Sequence, residues 1–283
     1  MRPIEQDFAS DLDAYWRRYV TGAGHLEPTG ASLRFVTRGA TAGQYSNAQI
    51  DDYQGLARRR FPWHPPLRLT VRARFSHPAH PEPGSLQGTA GFGFWNDPFL
   101  MTGKRLPALP SAAWFFYASP PSNMKLDLDL LGRGWKAATL DARRPAAVAL
   151  APLAPLAVLL MNIDALYKRL WPPIQRALRV GETRLEVGMT RWRTYVLEWG
   201  VEAAHFAVDG QPVLTAPAPR GPLGFVMWLD NQFLVATPRG RFRWGVLDAP
   251  GEQWMEVERL QIEPLSPENH TRPPTDRERD RRS

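Results

Sequence analysis

Two short stretches of the chain carry the same uncommon order of residues. They are Gly91-Phe92-Gly93-Phe94-Trp95-Asn96-Asp97 and Gly224-Phe225-Val226-Met227-Trp228-Leu229-Asp230. In an extended strand, successive side chains point to opposite faces. One face then carries Phe92 and Phe94, or Phe225, Met227 and Leu229, and suits a core. The other carries Gly91, Gly93, Trp95 and Asp97, or Gly224, Val226, Trp228 and Asp230. Glycines leave room, a Trp offers a flat apolar platform, and a carboxylate accepts hydrogen bonds from hydroxyls. Such a face suits a flat, partly apolar ligand bearing hydroxyl groups. The competing reading is structural, with both Trp side chains filling core and both Asp side chains capping turns.

On the first reading, Asp97 and Asp230 are the candidate catalytic acids. Gln49, Asp51, Trp95, Asn96, Trp114, Tyr117, Trp228 and Asn231 are the candidate ligand contacts. Trp114 and Tyr117 belong to an aromatic run, Trp114-Phe115-Phe116-Tyr117, whose strand phase decides which of them faces the ligand. Asn47, Gln49 and Asp51 share one face of their segment, and Asp127 and Asp129 would share one side of a strand over Lys125–Leu130. Carboxylates brought close together raise one another's pKa, and one of them can then serve as a neutral acid.

The elements that must position these groups read mostly as strands. Leu67–Phe75 alternates apolar residues with Arg and Thr, as a half-buried strand does. Ala31–Val36, Gly224–Asn231 and Trp254–Ile262 read as further strands. Thr194–Gly200 and His205–Val208 read as a hairpin, and Asp209-Gly210 as a tight turn into Gln211–Leu214. About ten strands with no alternation of strand and helix favour an all-β, two-sheet antiparallel jelly-roll sandwich. Pro 28 and Gly 22 in 283 residues fit a turn-rich β protein.

Ala146–Ile163 is almost wholly apolar, and Asp164–Leu178 reads as helix broken at Pro172-Pro173. With its flanks this makes a helical insertion over residues 143–180. A lid over a groove, a patch that touches a membrane surface peripherally and a buried excursion all remain open for it. A transmembrane helix would split the sheet strands across the bilayer. The expected organisation is one sandwich domain over residues 1–263, followed by a disordered charged tail over 264–283.

The charge of +7 is spread along the chain, apart from five Arg and three acids between Thr271 and Ser283. That pattern argues against a nucleic-acid partner, which calls for a concentrated basic face. Cys is 0, so disulfides, thiolate nucleophiles and cysteine metal sites are excluded. His77 and His80 sit in a Pro-rich loop with no helix to align them, and the sequence has no phosphate-binding loop, no Rossmann fingerprint and no G-x-S-x-G motif. No metal or cofactor is expected. The first residues carry no apolar signal region, so a cytoplasmic location is expected. Oligomeric state is open.

Three stretches resemble a known family. Thr194-Tyr195-Val196-Leu197-Glu198-Trp199, followed by His205-Phe206-Ala207-Val208-Asp209-Gly210-Gln211-Pro212, resembles a Tyr-x-x-x-Trp … Val-Asp-Gly hairpin. Gly221–Val226 resembles the strand after it, and Trp254–Ile262 the closing strand. On these residues the chain resembles the concanavalin-A-like lectin/glucanase superfamily, and within it the family 16 glycoside hydrolases. The resemblance runs from about Gly30 to Glu263, without the apolar insertion. It implies a jelly roll whose concave face takes a carbohydrate-like ligand. Enzymes of that family carry two glutamates around an aspartate on one strand, E-x-D-x-E or E-x-D-x-x-E. Retaining hydrolysis needs those two carboxyls about 5–5.5 Å apart. No such motif occurs here, and the corresponding stretch, Ser111–Ser119, holds no carboxylate. The resemblance therefore implies a glycan-related binding or processing protein without that family's hydrolysis. The alternative is an enzyme of cyclase or isomerase type, acting on a lipid- or isoprenoid-like substrate in an aromatic pocket with an Asp acid. An open groove would favour the first reading, and a closed pocket lidded by Ala146–Leu178 the second.

Overall fold

The computed structural model describes residues 3–8, 12–79, 84–98 and 106–265. In chain order the first strands are β1 (Ile4–Gln6), β2 (Arg17–Thr21), β3 (Gly24–Pro28), β4 (Leu33–Ala40) and β5 (Asn47–Asp51). They are followed by β6 (Leu67–Phe75), β7 (Thr89–Trp95), β8 (Ser111–Ala118) and β9 (Gly134–Asp141). Three helices come next, α1 (Pro145–Leu150), α2 (Ala154–Leu160) and α3 (Asp164–Ala177). The chain then returns to strands with β10 (Gly181–Arg184), β11 (Arg193–Trp199), β12 (Ala203–Val208) and β13 (Gln211–Pro217). It closes with β14 (Gly224–Asp230), β15 (Gln232–Ala236), β16 (Phe242–Val246) and β17 (Ala249–Pro264).

Two large antiparallel sheets form a sandwich of jelly-roll type. One runs β13-β12-β11-β6-β17-β4-β3, with β1 also paired to β17. The other runs β10-β9-β8-β7-β14-β5-β2. Alternation explains why these segments are strands. In β6, Leu67, Leu69, Val71, Ala73 and Phe75 are buried, while the residues between them are more exposed. Asp209 and Gly210, at φ 50° and 77°, make the tight turn between β12 and β13 that their types anticipate. Rings from the two sheets meet in the shared core. Phe92 lies 5.2 Å from Tyr195, Phe94 5.2 Å from Trp199, and Phe115 5.2 Å from Phe206, centroid to centroid.

Several expected elements differ. Lys125–Leu130 is a loop and not a strand. Its Leu126 and Leu128 pack against the helices, so helix and not a second sheet satisfies the alternation. Trp171 Nε1 donates to the Leu126 carbonyl at 2.8 Å, and Gln175 Nε2 to Asp127 Oδ2 at 3.1 Å. α3 runs through Pro172 and Pro173 without a break. The carbonyls that lose a partner there belong to Lys168 and Arg169, which are exposed and open to water. Pro145 and Pro155 fall at the start of α1 and α2, where a missing N–H costs nothing. No helix among the described residues is long and apolar enough to cross a membrane. The sandwich extends past the boundary expected at residue 264, because Pro264 ends β17 and Leu265 is buried. Residues 266–283, like His80, lie outside the described residues.

β7 lies very close to its neighbours. A Cβ at Gly91 would come 2.3 Å from the Phe115 carbonyl oxygen, and one at Gly93 2.5 Å from that of Ala113. Gly93 also has φ 150°, which side-chain-bearing residues rarely adopt. Gly93→Ala should therefore cost about 2 kcal/mol through overpacking and strain. Thermal unfolding should show a Tm lower by about 4–8 °C, and an unchanged Tm would contradict this packing.

Candidate functional site

The sheet that contains β7 presents one face to the core and the other to a groove. Register decides what fills that groove. Trp95 pairs with Gly224, Gly93 with Val226, and Gly91 with Trp228. Each Trp of these two strands thus sits opposite a glycine, and the space left by the missing side chains of Gly91 and Gly93 is taken up by the close approach of β8 and by the Trp228 ring. Trp228 Cη2 would be 3.0 Å from a Cβ at Gly91, and Trp114 Cβ 2.7 Å from one at Gly93. The outcome is a continuous aromatic floor. Trp95 and Trp228 lie nearly parallel, 8° apart with centroids separated by 6.4 Å. Trp114 is 5.9 Å from each of them, and Phe116 is 5.8 Å from Trp228.

Above this floor is a cavity of about 580 Å³, within the range of small-molecule sites. Its roof is the hairpin β15–β16, which contributes Leu234, Phe242, Trp244 and Val246. Phe242 is 64 % exposed and Trp244 65 % exposed, so two large aromatic rings are held at the mouth with little protein cover. Polar groups gather at one end, where Asp230, Thr89, Gln49, Tyr19, Tyr45 and Gln232 line the wall. A smaller chamber of about 170 Å³ continues the groove over β8 and β9, sharing Trp95, Trp114 and Phe116. Its far wall holds Lys136 and Glu182, a buried ion pair at 2.9 Å. Glu182 also accepts the backbone N–H groups of Leu126 and Asp127.

Asp230 is the chemically distinctive residue. Its Oδ1 accepts from Thr89 Oγ1 at 2.8 Å, Thr89 N at 3.2 Å and Gln232 N at 3.0 Å. Its Oδ2 accepts from the Tyr45 hydroxyl at 3.3 Å. Trp228 Nε1 donates to the same Thr89 oxygen at 2.9 Å, so one chain of hydrogen bonds orients both the ring and the carboxylate. Burial raises the carboxyl to about 6, against the pull of these donors. Burial, with Asp230 alongside, holds the Tyr45 phenol well above its ordinary range, and it stays a donor.

Of the residues singled out from sequence, Trp95, Trp114, Trp228, Gln49 and Asp230 meet in this cavity. The others do not. Tyr117 has the opposite strand phase to Trp114. It is buried in the core, and its hydroxyl donates to the Leu86 carbonyl at 2.8 Å. Asn96 is spent on the 109–111 segment, accepting from Ser111 N and donating to the Leu109 carbonyl, both at 2.9 Å. Asn231 accepts from Ser46 N and donates to the carbonyls of Thr41, Gln44 and Leu247. Both amides are structural. Asp51 takes four donors, from Gln49, Tyr53 and Gln54, and does not line the cavity.

Asp97 is separated from Asp230 by the antiparallel pairing. Asp230 stands beside Thr89, at the other end of β7 from Trp95, and Asp97 lies past Trp95. About 20 Å of strand lies between the two. Asp97 sits at φ 47°, with its carbonyl accepting from Arg58 Nη2 at 2.6 Å. The two acids do not converge. Asp52 is the other buried acid with a strong shift, to about 7 through burial. Trp63 Nε1, the Tyr15 hydroxyl and Phe225 N hold it in place, all as structural ties. Sequence reading missed Tyr19, Tyr45, Phe116 and the whole roof. The alternation of Phe242, Trp244 and Val246 with Arg241, Arg243 and Gly245 was the available signal for the roof.

No protein-family model matches the chain, and no curated protein matches its sequence. Solved structures do match its fold. An endo-1,3-β-glucanase from Streptomyces sioyaensis superposes with a TM-score of 0.53 at 15 % identity, covering 93 % of this chain and 96 % of that one. A Bacillus licheniformis β-glucanase gives 0.51 at 9 % identity, covering 93 % and 98 %. A prokaryotic β-1,3-1,4-glucanase from a mouse hindgut metagenome gives 0.50 at 9 % identity, covering 94 % and 100 %. The two antiparallel sheets thus amount to a jelly-roll fold shared with these glucanases.

Proposed function

We propose that the groove binds a carbohydrate chain. The observation that carries this reading is the aromatic floor of Trp95, Trp114, Trp228 and Phe116 ending at the buried carboxylate of Asp230, all within one cavity of about 580 Å³. A sugar ring has apolar faces and a rim of hydroxyls. The flat rings suit its faces, and Asp230 Oδ2, Gln49 and Tyr19 suit its rim. The glucanases that share the fold make glucan oligosaccharides the first ligands to try.

The reading is one of binding and not of two-carboxylate hydrolysis. Among the described lining residues of the larger chamber, Asp230 is the sole carboxylate, whereas retaining chemistry needs a pair about 5–5.5 Å apart. The apolar-substrate reading required a pocket lidded by the helical insertion. No residue of α1, α2 or α3 lines either chamber, so that requirement is not met.

Tryptophan fluorescence or calorimetric titration with β-1,3 and mixed-linkage gluco-oligosaccharides tests the proposal, and no binding across the panel would end it. Trp228→Ala should weaken binding by roughly 10- to 100-fold, the scale of about 1–3 kcal/mol for one stacked ring. Tyr117→Phe, in the core, should leave affinity unchanged.

Asp230 accepts hydroxyl donors as a carboxylate, which dominates above about pH 6. Affinity should fall as pH is lowered through that value. Asp230→Asn should bind about tenfold more weakly or worse at neutral pH, the scale of a hydrogen bond to a charged group, and should flatten the pH profile. An unaltered profile in the variant would assign the titration to another group. Thermal unfolding run in parallel separates this from loss of the Thr89 and Gln232 contacts.

A further inference from the structure

The helical segment between β9 and β10 leaves an apolar surface uncovered. Val148 to Leu156, nine consecutive residues of Val, Ala, Leu and Pro, are all exposed. Leu153 is 58 %, Leu156 55 %, Leu159 68 % and Ile163 58 % exposed. The segment is not short of a core, because Met161, Tyr167 and Trp171 are buried with Val158, Leu170 and Ile174 packed around them. The leucine row is thus left outside a segment that has already packed its other side. Contiguous exposed apolar surface of this kind marks a contact with a partner or a membrane.

Charge around the row selects between them. Residues 145–178 and the roof segment 232–246 together hold Lys168, Arg169, Arg176, Arg239, Arg241 and Arg243 against one acid, Asp164. Asp164 is engaged by Arg239. Lys168, Arg169 and Arg241 are exposed, and no described carboxylate forms an ion pair with them. The roof hairpin belongs to the same surface. A Cβ at Gly240 would come 2.5 Å from Val158 Cγ1, and Asn162 Nδ2 reaches the Arg239 carbonyl.

We propose that α1 and α2 dock this protein on an anionic lipid surface, with the leucine row entering the headgroup layer and the cations of α3 and the hairpin facing lipid phosphates and carboxylates. Short helices that lie in the interface with apolar residues on one side and Lys or Arg beside them bind membranes in this way. The helices are too short to span a bilayer, so the contact is peripheral.

Sedimentation of the full chain with phosphatidylcholine vesicles, with and without phosphatidylserine, tests this. The protein should pellet with the phosphatidylserine vesicles. The combined Leu153→Ser, Leu156→Ser and Leu159→Ser variant should lose binding by about tenfold or more. The Lys168→Gln and Arg169→Gln pair should lose binding to the anionic vesicles, and added salt should weaken the intact chain in the same direction. The substituted side chains are exposed, and an unchanged Tm confirms that the fold survives. If the intact chain stays in the supernatant with anionic vesicles, the proposal is overturned. If it elutes as a dimer that the triple serine variant converts to a monomer, a second copy covers the row and the proposal is likewise overturned. Gluco-oligosaccharide binding measured without vesicles should be the same in the triple variant, so the failure of one proposal does not imply failure of the other.

Discussion

The groove depends on how little side chain β7 carries on the face that lines it. Gly91 and Gly93 let β7 approach β8 until no Cβ would fit between them. The Trp114 and Trp228 side chains occupy the vacated space. Side-chain atoms on β7 there would lift these rings and break the contact that aligns Trp95 with Trp228 at 8°. The opposite face of the same strand carries Phe92 and Phe94 into the core. One strand therefore serves both the sandwich and the groove, and the period of two keeps these roles apart.

Two consecutive residues at the end of β14 fix the polar end. Asp230 turns its carboxylate into the cavity, and Asn231 turns its amide into the protein. The amide ties the backbone of Thr41, Gln44, Ser46 and Leu247 to the point where the roof hairpin starts. Buried amides with every donor and acceptor used hold their surroundings in one arrangement. Roof, floor and carboxylate are thus placed before any ligand arrives, and binding need not order them.

Alternation made much of this legible in the sequence. The faces of β6, β7 and β14 follow directly from it, and so does the placement of Trp95 and Trp228 opposite the core. What alternation cannot give is the direction in which neighbouring strands run. Two similar segments read as matching become reversed in space when they pair antiparallel, which carries Asp97 away from Asp230. Nor does residue type separate an amide that would bind a ligand from one that ties loops, as Asn96 and Asn231 do. The alternation of Lys125–Leu130 was real, but α3 absorbed it in place of a sheet. Trp114 and Tyr117 are three apart, so in one strand they cannot share a face, and the core claimed the tyrosine.

The two ends of the groove are unlike. Asp230, the sole carboxylate among the described residues that line it, closes the larger chamber, while the Lys136–Glu182 ion pair, with an ammonium among its groups, walls the smaller one. The aromatic floor between them offers flat apolar surface on which neither direction along the groove is distinguished. The ends do. A linear chain whose termini differ meets a different partner at each end when it is turned around, and the two orientations then differ in energy. On the proposed carbohydrate reading, the groove therefore has a polarity and favours one direction of a threaded chain over the other.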